Sequence, residues 1–309
     1  MLKGRLFITG GTGSLGTRII ERANNQGWRC DITVYSRDEV KQSELKAKYP
    51  QYRYVLGDIR DYDWLTVAMR GHDLVIHAAA YKQVVSSEVN AGEAIETNVI
   101  GSRNVARAAV LNNIPTVIGI SSDKSCAPVN LYGCTKACME KLFQQACLWD
   151  STNFLLVRYG NVIGSRGSVV PVFRQQAATS GIVTVTSLDM TRFWLTLDEA
   201  INLILEAEHI HENGTILIPK CHASSIRTLV AAIVPDAKVT VIGIRPGEKV
   251  HEQLVHGSES YNAKDIGDYF QLWPAYTSKH FNVEAGFSYA SNTAPQLTVE
   301  QLVAKVMAS

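Results

Sequence analysis

Residues 7–20, FITGGTGSLGTRII, set the tightest limit on how this chain can fold. An apolar run ends in glycines at three-residue intervals, Gly10, Gly13 and Gly16, and an amphipathic run follows. Glycine is needed where a turn takes positive φ and where the backbone must approach a ligand closely, so the segment reads as strand, tight turn and helix. The first N–H groups of such a helix lack internal partners and form a ready anion site. The turn therefore predicts a βαβ unit that binds a dinucleotide by its pyrophosphate, with Thr12, Ser14 and Leu15 contributing between the glycines.

Further apolar runs fall at 2–9, 30–35, 53–56, 73–78, 115–120 and 153–158. They are apolar throughout rather than alternately, which predicts strands buried on both faces, hence a parallel sheet. Helical patterns separate most of them, clearest at 91–112 and 129–149. Pro115 suits a strand start and Gly101 a close helix contact. After Arg158 the texture changes, and 159–195, rich in Gly, Ser, Arg and Val, reads as loops around short elements. A helix at 198–210 capped by Asp198, a strand at 215–219, a helix at 225–234, a strand at 238–244 and a closing helix at 297–308 capped by Thr298 are expected beyond it. The fold class is α/β, a Rossmann-type doubly wound parallel sheet with a smaller substrate-binding domain. The expected division is 1–165 with 196–222 for the dinucleotide, and 166–195 with 223–309 for the substrate.

Of the 309 residues, 46% are hydrophobic and 19% charged, enough for a sizeable core. A formal charge of +1, with basic residues scattered, argues against a nucleic-acid partner. No apolar run approaches the ~20 residues that cross a bilayer, and the first strand begins too early for a signal peptide, so a cytoplasmic protein without membrane association is expected. Cys30, Cys126, Cys134, Cys138, Cys147 and Cys221 are too few for a disulfide scaffold in a chain this long. The spacing of Cys134 and Cys138 is not that of a zinc ribbon, so reduced thiols and no metal are expected.

The end of the second strand bears on which dinucleotide binds. An acid there would take the 2′-hydroxyl of NAD, whereas the chain has Ser36 and Arg37, with Lys41 close behind. A guanidinium suits a 2′-phosphate, and Asp38 comes one residue late, so NADP is expected over NAD. The alternative is that Arg37 and Lys41 decorate a solvated helix start. Asp58 and Ile59, after the third strand, are expected to flank adenine. Ala78, Ala79 and Ala80 let the fourth strand pass beside the cofactor.

The run ISSDKSCAPVNLYGCTK (120–136) holds the chemistry. Tyr132 and Lys136 fall one helical turn apart on one face. Lys136 can bond the nicotinamide ribose while its charge lowers the phenol from about 10, making Tyr132 a usable base. Ser122, Asp123 and Lys124 follow a strand end, the usual ligand crevice of such sheets; a surface ion pair is the plainer alternative for the last two. Asn98 either helps to hold Lys136 and a water or caps a helix.

These motifs are similar to those of extended short-chain dehydrogenases/reductases, and specifically the inverting UDP-N-acetylglucosamine 4,6-dehydratases of the pseudaminic acid type. The resemblance runs nearly end to end, through TGGTGSLG, YSRDEVKQ, HAAAYKQV, SSDKSCAPVNLYGCTK, RYGNVIGSRGSVVP, MTRFWLTLDEA, RPGEKVHEQL and FSYASNT. It is to the short forms, without amino-terminal membrane segments. The resemblance implies that Tyr132 takes the C4 hydroxyl proton as the C4 hydride passes to NADP. Lys124, as a neutral amine, then removes the C5 proton, and a protonated Asp123 gives one to the departing C6 hydroxyl. Ser122 holds the C4 oxygen. Retaining relatives carry Asp-Glu where this chain has Asp123-Lys124. For a UDP-sugar, Lys82, Asn161, Arg166, Ser168, Arg192, Arg245 and Glu248 are the expected contacts, Lys82 also touching the cofactor. Tyr81 and Ala127 depart from the family pattern, which commonly has an aliphatic residue and an Asn there. A homo-oligomer, dimer or hexamer, is implied. The rival readings are a UDP-hexose or UDP-hexosamine 4-epimerase, which needs no acid–base pair at C5 and C6, and a non-catalytic NADP-binding scaffold.

Overall fold

In the computed structural model, which describes residues 1–149, 152–277, 281 and 283–309, the apolar runs become strands. These are β1 (Gly4–Thr9), β2 (Cys30–Ser36), β3 (Arg53–Leu56), β4 (Leu74–His77), β5 (Thr116–Ile120) and β6 (Asn153–Val157). They lie parallel in the order 3-2-1-4-5-6. Every residue of β4, β5 and β6 is buried, as continuous apolarity requires of strands covered on both faces. The order reverses between β1 and β4, and there the carboxyl ends open a crevice.

Helices α1 (Ser14–Asn25), α2 (Glu39–Lys48), α3 (Tyr62–Met69), α4 (Val84–Val89), α5 (Ala91–Ile95), α6 (Gly101–Leu111) and α7 (Leu131–Ala146) connect these strands. The helix expected over 91–112 is interrupted, because Glu96–Ile100 winds as a π-helical turn between α5 and α6. Gly101 then packs against Ile59 so closely that a Cβ would stand 2.6 Å from its side chain.

Beyond β6 come β7 (Asn161–Val162), α8 (Val169–Ser180), β8 (Ile182–Val185), β9 (Thr191–Leu195) and α9 (Leu197–Ile210). The twelve-residue α8 lies in a stretch expected to hold only loops and short elements. The cap of α9 is Thr196, in a reciprocal box with Glu199, and not Asp198. Asp198 sits in the first turn, where its carboxylate pairs with Arg18 of α1 at 2.5 Å.

The remaining elements are β10 (Ile216–Pro219), β11 (Ala223–Ser225), α10 (Ile226–Ile233), β12 (Lys238–Val241), β13 (Gln253–Val255), β14 (Ala263–Asp265), β15 (Tyr269–Leu272), β16 (Tyr289–Ala290) and α11 (Val299–Met307). Strand β10 adds parallel to β6, and β15 and β14 extend that edge antiparallel, giving nine strands among the described residues. The strand expected over 238–244 stops at Val241, with Gly243 at φ 89° beyond it. Thr298 caps α11 as expected. A second core, separate from the sheet's, joins Ile163, Phe173, Val183, Trp194, Leu229 and Leu302. The buried Trp194 indole N–H finds Ser224 Oγ at 2.8 Å.

Candidate active site

The carboxyl ends of β1, β4 and β5 open on a cavity of about 490 Å³. Gly10 sits at φ +66°, and a Cβ there would stand 2.7 Å from the Ala79 backbone, so no side chain permits this approach. Helix α1 starts without a side-chain cap, leaving its first N–H groups for an anion. Gly10, Thr12, Gly13, Ser14, Leu15 and Gly16 line the cavity, as do Ser36, Arg37, Lys41, Asp58 and Ile59. Ala78, Ala79, Ala80 and Lys82 close it from the β4 side. The half-exposed Arg37 guanidinium lies 3.3 Å from Asp58, while Asp38 caps α2 by accepting from the Lys41 N–H at 3.0 Å.

Asn98 caps no helix, since it lies inside the π-helical turn Glu96–Ile100. Its amide accepts from the Tyr81 N–H at 2.7 Å and donates to the Tyr81 carbonyl at 2.9 Å and to Thr135 Oγ1 at 3.0 Å. It therefore ties the segment after β4 to α7.

The reaction tract is braced by its backbone. Asp123–Ser125 form a single 3₁₀ turn just past β5, and Asn130 caps α7 by accepting from the Gly133 N–H at 2.8 Å. A Cβ on Gly133 would fall 2.2 Å from the Lys124 carbonyl oxygen, so α7 rests directly on that turn. Ser122, Tyr132 and Lys136 face the cavity. Asp123 is fully buried, and its Oδ1 accepts from Ser122 Oγ at 2.8 Å and from Lys124 Nζ at 3.0 Å. Its Oδ2 has no hydrogen-bond partner. Lys124 also lies 3.5 Å from Asn161 Oδ1 and 3.6 Å from Glu252 Oε1.

Burial disfavours the Lys124 ammonium, but the Asp123 and Glu252 carboxylates outweigh it and hold the group above its ordinary value. The two carboxylates that face Lys124 thus favour its ammonium over the neutral amine. Burial likewise raises the Tyr132 phenol, opposed by the Lys124 charge and a hydrogen bond with Ser122, while Asp123 adds to the rise. Lys136, expected to lower that phenol, instead donates to the Ile120 carbonyl at 2.6 Å. Burial draws its ammonium down to about 8, with Glu140 opposing.

The expected substrate contacts divide into five groups. Asn161 reaches the reaction centre through Lys124. Arg166 lies instead against the glycine turn: its guanidinium donates to the Thr12 carbonyl, its N–H to Ser14 Oγ at 3.0 Å, and Lys82 Nζ donates to its carbonyl at 3.1 Å. Arg192 ties β9 to the segment after β12 by donating to the carbonyls of Thr191 at 2.7 Å, Lys249 at 3.0 Å and Val250 at 3.1 Å. Arg245 and Glu248 pair with each other at 2.8 Å, and Ser168 starts α8 with its hydroxyl buried and unpartnered. Sequence reasoning missed Glu252 and Tyr159. The first acquires its place only through contacts with Lys124, Arg192 and Lys249, and the second lines the cavity beside Tyr132. Among the described residues, no group of three or more His, Cys, Asp or Glu side chains could hold a metal.

A parallel sheet with a dinucleotide crevice at its switch point, and a Tyr–Lys pair on the helix beside it, define an extended short-chain dehydrogenase/reductase. The chain belongs to the family described as polysaccharide biosynthesis protein, which it matches over residues 6–274. It is 39% identical to a UDP-N-acetylglucosamine 4,6-dehydratase (inverting) of Campylobacter jejuni strain 81-176, over 96% of this chain and 95% of that one. It is 40% identical to a UDP-glucose 4-epimerase of Rickettsia bellii strain RML369-C, over 86% of this chain and 82% of that one. Among solved structures, Pen from Bacillus thuringiensis superposes with a TM-score of 0.91 at 34% identity, covering 98% of this chain and 97% of that one. The dTDP-glucose 4,6-dehydratase DesIV from Streptomyces venezuelae, solved with NAD, shares the fold at a TM-score of 0.77 and 20% identity, covering 98% and 96%.

Proposed function

We propose that the protein is an NADP-dependent UDP-N-acetylglucosamine 4,6-dehydratase of the C5-inverting type, acting in the cytoplasm. The observation that carries this reading is the Lys124–Asp123 contact of 3.0 Å beside Tyr132, in a chain 39% identical to such a dehydratase along nearly its whole length. The cavity fits a dinucleotide: its glycine turn leaves no room for a Cβ at Gly10, and uncapped helix N–H groups stand ready for a pyrophosphate. Ser36, Arg37 and Lys41 at the far end favour a 2′-phosphate, and hence NADP over NAD. A bound nicotinamide supplies a hydride acceptor for C4 and a hydride donor for C6.

The residues move the protons. Tyr132 takes the proton of the C4 hydroxyl, with Ser122 donating to the same oxygen. The paired groups then face opposite demands, an amine at 124 and a carboxylic acid at 123. One proton crossing from Lys124 Nζ to Asp123 meets both: an N–H bond breaks, an O–H bond forms, and the net charge of the pair is unchanged. The Lys124 amine removes the C5 proton, acidified by the C4 ketone, as Asp123 protonates the C6 hydroxyl, which leaves as water. The pair is thereby restored to ammonium and carboxylate. A solvent proton reaching C5 from the opposite face inverts that carbon, and Tyr132 releases the C4 hydroxyl proton to solvent. Asn161, Arg166, Ser168, Arg192, Arg245, Glu248 and Lys82 are the proposed contacts to the UDP-sugar. A homo-oligomer is the proposed assembly, which light scattering tests.

The test is incubation with UDP-N-acetylglucosamine and NADP, followed by mass spectrometry and by NMR in deuterated water. Loss of one water with deuterium at C5 supports the reading, and an isomer of unchanged mass refutes it. That second outcome would favour a 4-epimerase, the reading supported by the Rickettsia relative, which needs Tyr132 and Lys136 but no Asp123–Lys124 pair. Bound NADP without turnover of any UDP-sugar would leave the scaffold reading.

A further inference from the structure

Glu252 is a buried carboxylate for which the mechanism above has no use. Its side chain is 4% exposed, with Oε1 3.6 Å from Lys124 Nζ and 3.8 Å from Arg192 Nε, and Oε2 3.8 Å from Lys249 Nζ. All three cations stand at ion-pair distance and beyond good hydrogen-bond distance, and Oε2 has no hydrogen bond at all. The backbone, by contrast, is pinned. The Glu252 N–H donates to Ser291 Oγ at 2.9 Å, the Ser291 N–H donates to the Glu252 carbonyl at 2.8 Å, and the adjoining His251 bridges Thr191 of β9. A pinned backbone thus presents a buried carboxylate to Lys124 in addition to that of Asp123. Such burial costs several kcal/mol unless cations offset it, so the arrangement is not one that packing alone would favour.

We propose that Glu252 is a positioning residue that holds the Lys124 ammonium in a second ion pair and thereby sets how readily its proton leaves for Asp123. The proposal rests on the dehydratase reading and deepens it. The groups facing the Lys124 amine are Asp123 on its own turn, Tyr132 from α7, Asn161 from β7, Arg192 from β9 and Glu252 ahead of β13, with Lys249 behind Glu252. Asp123 is the proton's destination, and Arg192 repels the ammonium. Glu252 is the second carboxylate at the amine, and it opposes the transfer. Removing its charge must tilt the internal transfer toward amine and carboxylic acid, and must bring loss of the pair's one shared proton to lower pH.

The experiment is the pH profile of water loss from UDP-N-acetylglucosamine by the full-length protein with NADP, for wild type, Glu252→Gln and Glu252→Asp. C4 oxidation is followed separately through transient reduced-nicotinamide absorbance. Glu252→Gln should move the falling limb of the dehydration profile toward acid by about 1 unit or more, with the limb for C4 oxidation unmoved. Glu252→Asp, which keeps the charge but withdraws it, should shift the limb less in the same direction. An unshifted limb in Glu252→Gln, or equal loss of both steps, overturns the assignment. Should Glu252→Gln fail to fold, the Asp variant decides alone, since an unshifted limb there is equally fatal. Wild type that eliminates no water brings down the dehydratase reading and this inference with it. Wild type that eliminates water, with variants that match it, brings down only the inference.

Discussion

Two buried charge clusters lie beside α7, each bringing two carboxylates to a central cation, and they are finished differently. In the first, Arg158 meets Glu140 at 2.7 Å and Glu259 at 2.5 Å, with the Leu254 carbonyl at 3.0 Å. Glu140 also accepts from Ser121 Oγ at 2.6 Å and Ser125 Oγ at 2.7 Å, so its oxygens are filled. In the second, Lys124 meets Asp123 at 3.0 Å but Glu252 only at 3.6 Å, and both acids keep an oxygen without a hydrogen bond. A buried polar group without a partner costs about 1–3 kcal/mol, more when charged. The first cluster is a brace under the strand end. The second is kept open for groups that come and go.

Four experiments probe that contrast. Lys124→Ala should cut water loss by roughly 10²–10⁴-fold while C4 oxidation persists, read by single-turnover absorbance and product mass; normal dehydration would remove Lys124 from the mechanism. Arg158→Leu should cost about 3–5 kcal/mol, because it strands two acids, and a denaturant melt checks it. If the brace reading is right, the folded fraction at low temperature still turns over. His77 offers a neutral version of a satisfied group, hydrogen-bonded to Thr9 at 2.8 Å and Ser102 at 2.9 Å, with burial first and then Lys136 drawing its pKa down to about 3. The unfolded chain binds that proton near 6.5, so stability is lost as pH falls from about 6.5 to 3, by up to about 1.4 kcal/mol per unit. His77→Gln should flatten that part of the stability profile. The smallest effect concerns Ala127, an exposed alanine held at φ 43°. Ala127→Asn should stabilise by about 0.5–1 kcal/mol, since asparagine tolerates the left-handed region, and calorimetry would detect an unchanged or lowered Tm as a failure.

The sheet was legible because β1, β2, β4, β5 and β6 each carry an unbroken run of buried residues, a pattern that survives without tertiary knowledge. Elements set by partners were not. β7 spans two residues and exists only through pairing with β9, and the edge hairpin of β14 and β15 reads as ordinary loop. Asp198 looked like a cap, but Thr196 holds that place because Glu199 returns the hydrogen bond and Arg18 draws Asp198 away. In the site, the residues of the 120–136 tract fall together because one turn and one helix carry them. The second carboxylate beside Lys124 could not be foreseen, since Glu252 arrives from a distant loop. Nor could Arg166's reach to Thr12, which depends on how the segment after β7 folds back.

Gly133 turns a local fact into a global one. Because nothing larger than hydrogen fits between it and the Lys124 carbonyl, the spacing of the lysine from the tyrosine is dictated by main chain against main chain. Side-chain rearrangement elsewhere cannot stretch that interval. The two proton-handling groups travel as a single rigid piece, and whatever tilts α7 aims both of them at once.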